Sequence, residues 1–583
     1  MALRRPKEQS LLQRYVPIVD WLPSYDWKED TRWDLIAGLT VWALLVPEAM
    51  AYAGIAGVPP EAGLYAAPLA LLGYAVFGTS KHLFVGPSST VAIVSASVVG
   101  GLAVAGTDEF WWTTSWLAIV VGVLFVIFGV IRMGWVANFM AQPVLDGFIV
   151  GLAITIAVGQ LDKMFGIDAE GESTVQEFLD IVSNVAEWHW ATIIIGFTSL
   201  AVLFLMHRFT PKIPAALTVV ILAIAVSAAF DFEEHGIHVV GDIPAGLPDL
   251  GFPQWPEGLR LSELVIGALA VILVGYAESL AAAKEYARKN GYEVDPNQEM
   301  IGYGAANIGA GISQGFVVDG SLSKTAAGAG AGQRTQMTGI IAAVITIITI
   351  LFLTGLFYTL PEATLGAIVV HAVWKLIDFG TFERMWRIRK ADFWAAIAAF
   401  AGVLLLDVLL GIIIGIVLSL LILIYRASFP GGAELGMTER DGYKVFVDVD
   451  RNPSATRPVD AVVYRFNQDL LFSNANAFTD QGKELLYRRT DPPARILLVD
   501  CEQMSDIDMT GAAALIQLTE ELAQVGVQVW LARLHGEAYD TAERAGVFEV
   551  VGRDNVHVSL RGAADAYQRL EDEEGGGSPH GTS

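Results

Sequence analysis

Two carboxylates stand where a carboxylate is expensive. Glu278 lies inside the apolar run VILVGYAESLAAA, and Glu48 follows Pro47 in ALLVPEAMAYA. A charge deep in hydrocarbon is costly unless it faces a cavity, is paired or is protonated, so a proton-carrying role is physically reasonable for both. The competing reading is a structural carboxyl bonded to a neighbouring helix; for Glu48, the backbone groups freed by Pro47 are a further candidate partner. Two other clusters have the complementary sign. Gly86 and Pro87 precede Ser88, Ser89 and Thr90, and Gly320 precedes Ser321, Ser323 and Lys324. Each reads as a short helix that starts inside an apolar region behind a breaker and is capped by hydroxyls. Such a start offers unpaired N–H groups and the positive end of the helix dipole. Two of them facing each other suit an anion. Lys324 would either attract that anion or pair with Asp319 or Glu278. Taken singly, the clusters also read as Gly/Ser-rich packing seams; their pairing favours a site.

The pairing is part of a repeat. LLVPEAMAYAGIAG, EAGLYAAPLALLGYAVFG and GPSSTVA in the first half match ILVGYAESLAAAKEYA, EMIGYGAANIGAGISQG and DGSLSKTA in the second, at an offset of about 230 residues. Apolar runs of bilayer-crossing length succeed one another from Leu35 to Ile424, with starts near Arg32, Gly63, Pro87, Ser115, Pro143, Ala191, Pro214, Ser262, Asn297, Ser321, Gln336, Pro361, Asp392 and Asp407. About fourteen spans make seven per half. Seven is odd, so the second half sits inverted relative to the first, the arrangement of secondary transporters.

Composition fits that expectation. Of 583 residues, 54% are apolar and only 17% charged, against about a quarter charged in soluble chains; mean hydropathy is +0.49. The single cysteine, Cys501, excludes an intrachain disulfide and a Cys-based metal cage. A net charge of -25 argues against a nucleic-acid partner, which needs a basic face. Basic residues (Lys81, Arg132, Arg208 with Lys212, Lys284, Arg334, Arg384) fall in every second gap, and acidic ones (Asp108, Asp168, Glu170, Glu172, Glu177, Asp231) in the alternate gaps, with Lys163 and Arg260 as the main exceptions. Positive charge is kept inside. Both ends are therefore expected in the cytoplasm, and the amino end (Arg4, Arg5, Lys7, Arg14) reads as a cytoplasmic lead into the first span rather than a secretory signal.

The stretch from Asp34 to Ser95, above all AGVPPEAGLY at Ala56–Tyr65 and FGTSKHLFVGPSSTVA, resembles the sulfate permease (SulP) family, and GSLSKTAAGAGAGQRTQ resembles that family's segment entering the tenth span. The resemblance runs over essentially the whole chain. It implies a seven-plus-seven inverted repeat divided into core and gate domains, a homodimer, and an anion bound between the starts of spans three and ten. By motif match the binding residues are Glu48, Tyr52, Ser88, Ser89, Thr90, Ser321, Leu322, Ser323 and Lys324. Glu278 is similar to the glutamate of proton-coupled members; sodium-coupled bicarbonate members tend to have aspartate there. Many sulfate-transporting members carry glutamine where this chain has Glu48. An ionised glutamate would repel an anion, so Glu48 is expected to be protonated or the substrate to differ.

Past Arg426 the texture changes. VDAVVYRF, ARILLVDC and VQVWLARL read as strands; NAFTDQGKELLYRR, TGAAALIQLTEELAQVG and GEAYDTAERAGVFE read as helices, which makes an α/β domain. ILLVDCEQMSDIDMTGAAAL resembles the STAS domain shared by these transporters and anti-sigma-factor antagonists, which carry a phosphorylatable residue at the position of Thr510. Thr510 also reads, preferentially, as a helix N-cap. The expected divisions are a cytoplasmic segment 1–31, a transmembrane domain 32–427, a linker 428–441, a STAS domain 442–570 and a flexible acidic tail 571–583. No phosphate loop, metal set or nucleophile elbow is present, so neither enzyme activity, cofactor nor metal is expected. The expected function is alternating-access transport of a small oxyanion, sulfate favoured, across the cytoplasmic membrane with protons coupled through Glu278. The alternatives are a sodium-driven bicarbonate symporter, and a non-coupled channel or STAS-regulated signalling protein with soluble regulators. A nucleobase symporter is opposed by the Val-Pro-Pro motif and the STAS tail.

Overall fold

A backbone crossing hydrocarbon has only itself to bond with, and the apolar runs accordingly form helices. The computed structural model describes residues 15–135, 141–167, 171, 173–210, 213–374, 376–406, 408–440, 443–489 and 492–575. The basic residues as far as Arg14, Asp168, Glu170, Glu172, Lys212, Asp407 and the tail from Gly576 lie outside the described residues.

The first unit is built of α1 (Asp30–Ile55), α2 (Pro60–Phe77), β1 (Phe84–Gly86), α3 (Ser89–Gly100), α4 (Asp108–Val130), α5 (Gln142–Val158), α6 (Trp190–Phe209), α7 (Ala215–Phe230), α8 (Leu261–Asn290), α9 (Pro296–Ile312), β2 (Asp319–Ser321), α10 (Leu322–Gly330), α11 (Met337–Phe352), α12 (Glu362–Trp374), α13 (Lys390–Leu405) and α14 (Val408–Ser428), the last of which runs on into the second unit. These match the expected run of starts with one clear shift. α4 begins at Asp108 rather than Ser115, because the Thr107 hydroxyl accepts from the Phe110 N–H and Asp108 and Glu109 occupy the first turn, where the dipole favours acids. Among the described residues, six helices are long and apolar enough to cross a bilayer unaided. α3 and α10, at 12 and 9 residues, are far short of that length.

The packing is swapped between halves. α4 packs on α8 and α9, while α11, seven helices later, packs on α1 and α2. α5 lies along α13 as α6 lies along α12, and α3 touches α8 as α10 touches α1. A two-fold axis relating inverted halves generates this exchange of partners. The axis is visible in the sheet: β1 and β2 pair antiparallel, Phe84 opposite Ser321, Val85 opposite Gly320 and Gly86 opposite Asp319. Corresponding segments of two repeats can pair antiparallel only if one repeat is inverted.

Small residues set the helix spacing, as expected where lipid removes the hydrophobic drive between helices. A Cβ on Gly63 would sit 2.0 Å from the Ala49 carbonyl oxygen, and one on Gly122 would sit 2.7 Å from that of Gly304.

The second unit, from Leu420, holds a six-stranded sheet of order β4-β3-β5-β6-β7-β8. Its strands are β3 (Gly432–Arg440), β4 (Tyr443–Asp448), β5 (Ala461–Phe466), β6 (Ile496–Asp500), β7 (Gln528–Ala532) and β8 (Val556–His557), with α15 (Ala475–Tyr487), α16 (Met509–Gln524), α17 (Gly536–Arg544), α18 (Val547–Val551) and α19 (Leu560–Gly575). β5 to β8 are parallel, and β3 is antiparallel to both β4 and β5. Alternate side chains of the parallel strands feed two cores, one containing Tyr464, Leu497 and Leu531 with α15–α18, the other Val463, Leu498 and Trp530 with Leu560 and Ala563 of α19. β3 occupies the stretch read as a linker, because Ala433 and Leu435 bury their side chains in the second core. α19 likewise continues past Leu570 to Gly575. The helix expected over GEAYDTAERAGVFE is broken at Gly546, whose φ of 82° no right-handed helix accommodates.

Candidate anion-binding site

β1 and β2 hold the starts of α3 and α10 against each other. The Phe84 N–H donates to Thr325 Oγ1 at 3.0 Å, Thr325 donates to the Ser321 carbonyl at 2.6 Å, and the Gly320 N–H donates to Ser279 Oγ at 2.7 Å. Asn307 of α9 clamps Val318 from both sides, accepting from its N–H at 3.0 Å and donating to its carbonyl at 2.9 Å.

Only one of the two expected hydroxyl caps forms. Ser321 accepts from the Lys324 N–H at 3.4 Å and stands 3.1 Å from Ser323. Ser88 occupies the N-cap position of α3 in extended conformation, but its side chain makes no cap bond and its buried hydroxyl has no hydrogen-bond partner among the described residues. Ser89 and Thr90 are buried in that turn, whereas Leu322 (45% exposed) and Ser323 are open to solvent.

Lys324 is 1% exposed and ties three elements together. Its Nζ lies 2.7 Å from Glu48 Oε2 on α1 and donates to the Pro87 carbonyl at 3.0 Å, with the Tyr52 ring centroid 5.1 Å away. The lysine therefore pairs with neither Asp319 nor Glu278. Glu48 in turn is not occupied with the backbone around Pro47; its charge is balanced by Lys324. Tyr52 lies one turn beyond Glu48 on the same face. Glu278 is half-buried, with the Thr90 hydroxyl and Asp319 as polar neighbours. The structure thus brings Glu48 and Tyr52 of the first half against Lys324 of the second, and Thr90 of the first half against Glu278 of the second.

Sequence reasoning named Asp319 only as a possible partner of Lys324, and left out Ser279, Thr325 and the Pro87 carbonyl. The available signal for Asp319 was an acid directly behind two valines, in VVDG. Thr510 belongs to the second unit. It is exposed, and the α16 cap is Asp508, whose carboxylate accepts from the Gly511 N–H at 2.7 Å. Asp508, one residue before the helix, reaches the first-turn N–H groups; Thr510 is already helical.

Two inverted halves, two broken helices meeting around a buried cation and an α/β domain behind them define a multi-pass membrane transport protein with an accessory domain. The chain belongs to the sulfate permease family, a family of transporters rather than enzymes: the family's model matches residues 32–399, and the STAS domain model matches residues 452–563. A "probable sulfate transporter" of Mycobacterium tuberculosis is 34% identical over 542 residues, covering 92% of this chain and 95% of its own. One of Arabidopsis thaliana is 30% identical, covering 94% and 82%. The murine Solute Carrier 26 family member A9 anion transporter, in an inward-facing state, superposes with a TM-score of 0.88 at 25% identity, covering 98% of this chain and 96% of that one. The transmembrane domain of a cyanobacterial bicarbonate transporter shares the fold, with a TM-score of 0.58 at 22% identity over 67% of this chain and 97% of its own.

Proposed function

We propose that this protein carries a small inorganic oxyanion, sulfate in preference, across the cytoplasmic membrane by alternating access, with protons coupled through Glu278. The observation that carries the reading is the convergence of the α3 and α10 starts on Lys324, with Glu278 alongside. The helix N-termini supply attraction for the anion, the Lys324 charge being balanced by Glu48, and a carboxyl at the same place supplies the proton site. The sulfate preference leans on the names of the mycobacterial and plant relatives. The alternation of charge between gaps supports an orientation with both ends inside.

Uptake of labelled sulfate and bicarbonate into proteoliposomes, with and without a pH gradient, tests the proposal. Uptake of neither anion would end it, and uptake indifferent to Glu278→Gln would end the role of Glu278. The oxygens of Glu278, Asp319 and Thr90 would also suit a hard cation, which keeps a sodium-driven bicarbonate carrier as the second reading. Sodium-dependent uptake abolished by substituting Glu278 or Ser323 would establish it. Single-channel currents would point instead to a non-coupled channel.

The STAS unit serves regulation and homodimer contact in this reading. Thr510 is its candidate phosphosite: the hydroxyl is exposed on the first turn of α16, where the dipole favours an added phosphate. A phosphorylated Thr510 that binds a soluble partner in a protein without flux would favour a signalling role.

A further inference from the structure

We infer that Asp319 is a second proton-carrying carboxyl of this carrier, acting as a pair with Glu278; the inference rests on the proton-coupled reading above.

Three other buried acids of the membrane unit show how this fold partners a buried carboxyl. Asp34 accepts from the Arg334 and Thr335 N–H groups and from the Thr335 and Thr338 hydroxyls, at 2.6–3.2 Å. Glu299 accepts from Tyr74, Tyr303, the Thr79 hydroxyl and the Thr79 and Ser80 N–H groups, at 2.6–3.1 Å. Glu48 has the Lys324 ammonium at 2.7 Å. Asp319 is as deeply buried, at 3% exposure, yet neither of its oxygens meets strict hydrogen-bond geometry with any partner among the described residues, the Ser88 hydroxyl alone standing beside it as a donor. An ionised carboxylate so short of donors is costly for a protein interior to hold; a protonated one is not.

Its position explains the arrangement. Asp319 opens β2 opposite Gly86, at the point where the two halves pair. A Cβ on Gly275 would meet Asp319 Cβ at 3.6 Å, and the next residue, Gly320, donates to Ser279. Positions 275, 278 and 279 share one face of α8, so Asp319 lies along the face that carries Glu278. Two neighbouring carboxyls resist ionising together. Among the described residues the groups around the pair are committed elsewhere: Lys324 of α10, whose charge also reaches Asp319, is engaged by Glu48 and Pro87, the Tyr303 hydroxyl of α9 donates to Glu299, and the Tyr276 hydroxyl of α8 donates to the Gly134 and Pro296 carbonyls. Tyr52 of α1 lies against Lys324, and α3 contributes only the hydroxyls of Ser88 and Thr90. In the loaded carrier each carboxylate takes one proton from the outer solution and releases it on the inner side. A dianion therefore moves with two protons and no net charge.

The test is equilibrium accumulation of labelled sulfate by the full-length protein in proteoliposomes, at clamped zero voltage and an inward gradient of one pH unit. Two coupled protons give about 100-fold accumulation and one gives about tenfold. Wild type should reach the first value and ignore an imposed voltage. Asp319→Asn, which stays neutral, should drop to the second and be opposed by an inside-negative voltage. Asp319→Glu should restore the wild-type response. An Asp319→Asn carrier with wild-type accumulation and voltage indifference overturns the inference while leaving Glu278 its role. If that variant does not fold, a wild-type accumulation of tenfold overturns it equally, as does sodium-driven uptake at constant pH that Asp319→Glu abolishes. Wild-type uptake that ignores the pH gradient overturns both the pair and the coupling through Glu278.

Discussion

The Lys324 ammonium lies 2.7 Å from the Glu48 carboxylate, joining the tenth helix to the first across the axis that relates the two halves. This accounts for how a glutamate is tolerated beside the proposed anion site: its charge is balanced by the Lys324 ammonium. Removing the amine with Lys324→Met strands Glu48, and breaking a buried pair costs about 3–5 kcal/mol. Glu48→Gln keeps the shape and frees Lys324. We expect a large loss of thermal stability in detergent for the first variant and a smaller one for the second. The second should also lower the apparent KM for the anion, and a raised KM would contradict the pairing argument.

Gly63 packs where only a hydrogen fits. An alanine Cβ would lie 2.0 Å from the Ala49 carbonyl oxygen, a backbone atom that cannot swing aside. Gly63→Ala should yield no monodisperse protein on size exclusion. Gly100→Ala meets nothing within 4 Å and should run as wild type.

Glu177, in the helix Thr174–Ser183 between α5 and α6, is pushed up to about 7 by burial, with Asp162 adding repulsion. An unfolded glutamate ionises near pH 4.5, whereas the folded one stays protonated until about 7. The unfolded chain therefore binds fewer protons across that window, and stability falls as pH rises through it. Melting curves between pH 4.5 and 7.5 should show this decline in wild type and a shallower one in Glu177→Gln. Equal slopes would count against the burial of this carboxyl.

Within the STAS unit, Asp500 is fully buried and receives the Arg533 guanidinium in bidentate fashion, at 2.8 and 2.5 Å. The same arginine reaches Glu502 at 2.9 Å and holds a left-handed φ of 64°. Arg533→Ala removes the only salt-bridge partner of Asp500 among the described residues and should destabilise this unit by about 3–5 kcal/mol. Limited proteolysis of the full-length protein should show earlier cleavage in the second unit and an unchanged membrane unit.

Much of this architecture is written in local pattern. Apolar runs, breakers and the repeat at Glu48/Glu278 and Gly86/Gly320 locate the helices, the broken pair and the inversion, since these depend on residues within a few positions of one another. Short, near-continuous apolar runs such as AVVYRF and ILLVD mark the STAS strands for the same reason. The misplaced features are those where neighbouring residues compete for one local role. Thr107 rather than a later position starts α4, Asp508 rather than Thr510 caps α16, and β3 extends the sheet into an apparent linker.

By itself, then, the sequence determined the membrane class, the inverted halves, the STAS unit and the two short helices, α3 and α10, that start behind breakers. What only the tertiary structure decided is who pairs with whom. Lys324 had three acids to choose from; the antiparallel β1–β2 pair brings Glu48 within 3 Å of it and leaves Asp319 turned onto the Glu278 face of α8. A buried charge takes the counter-charge that the packed backbone delivers, and that distance is set by contacts more than 200 residues apart in the chain.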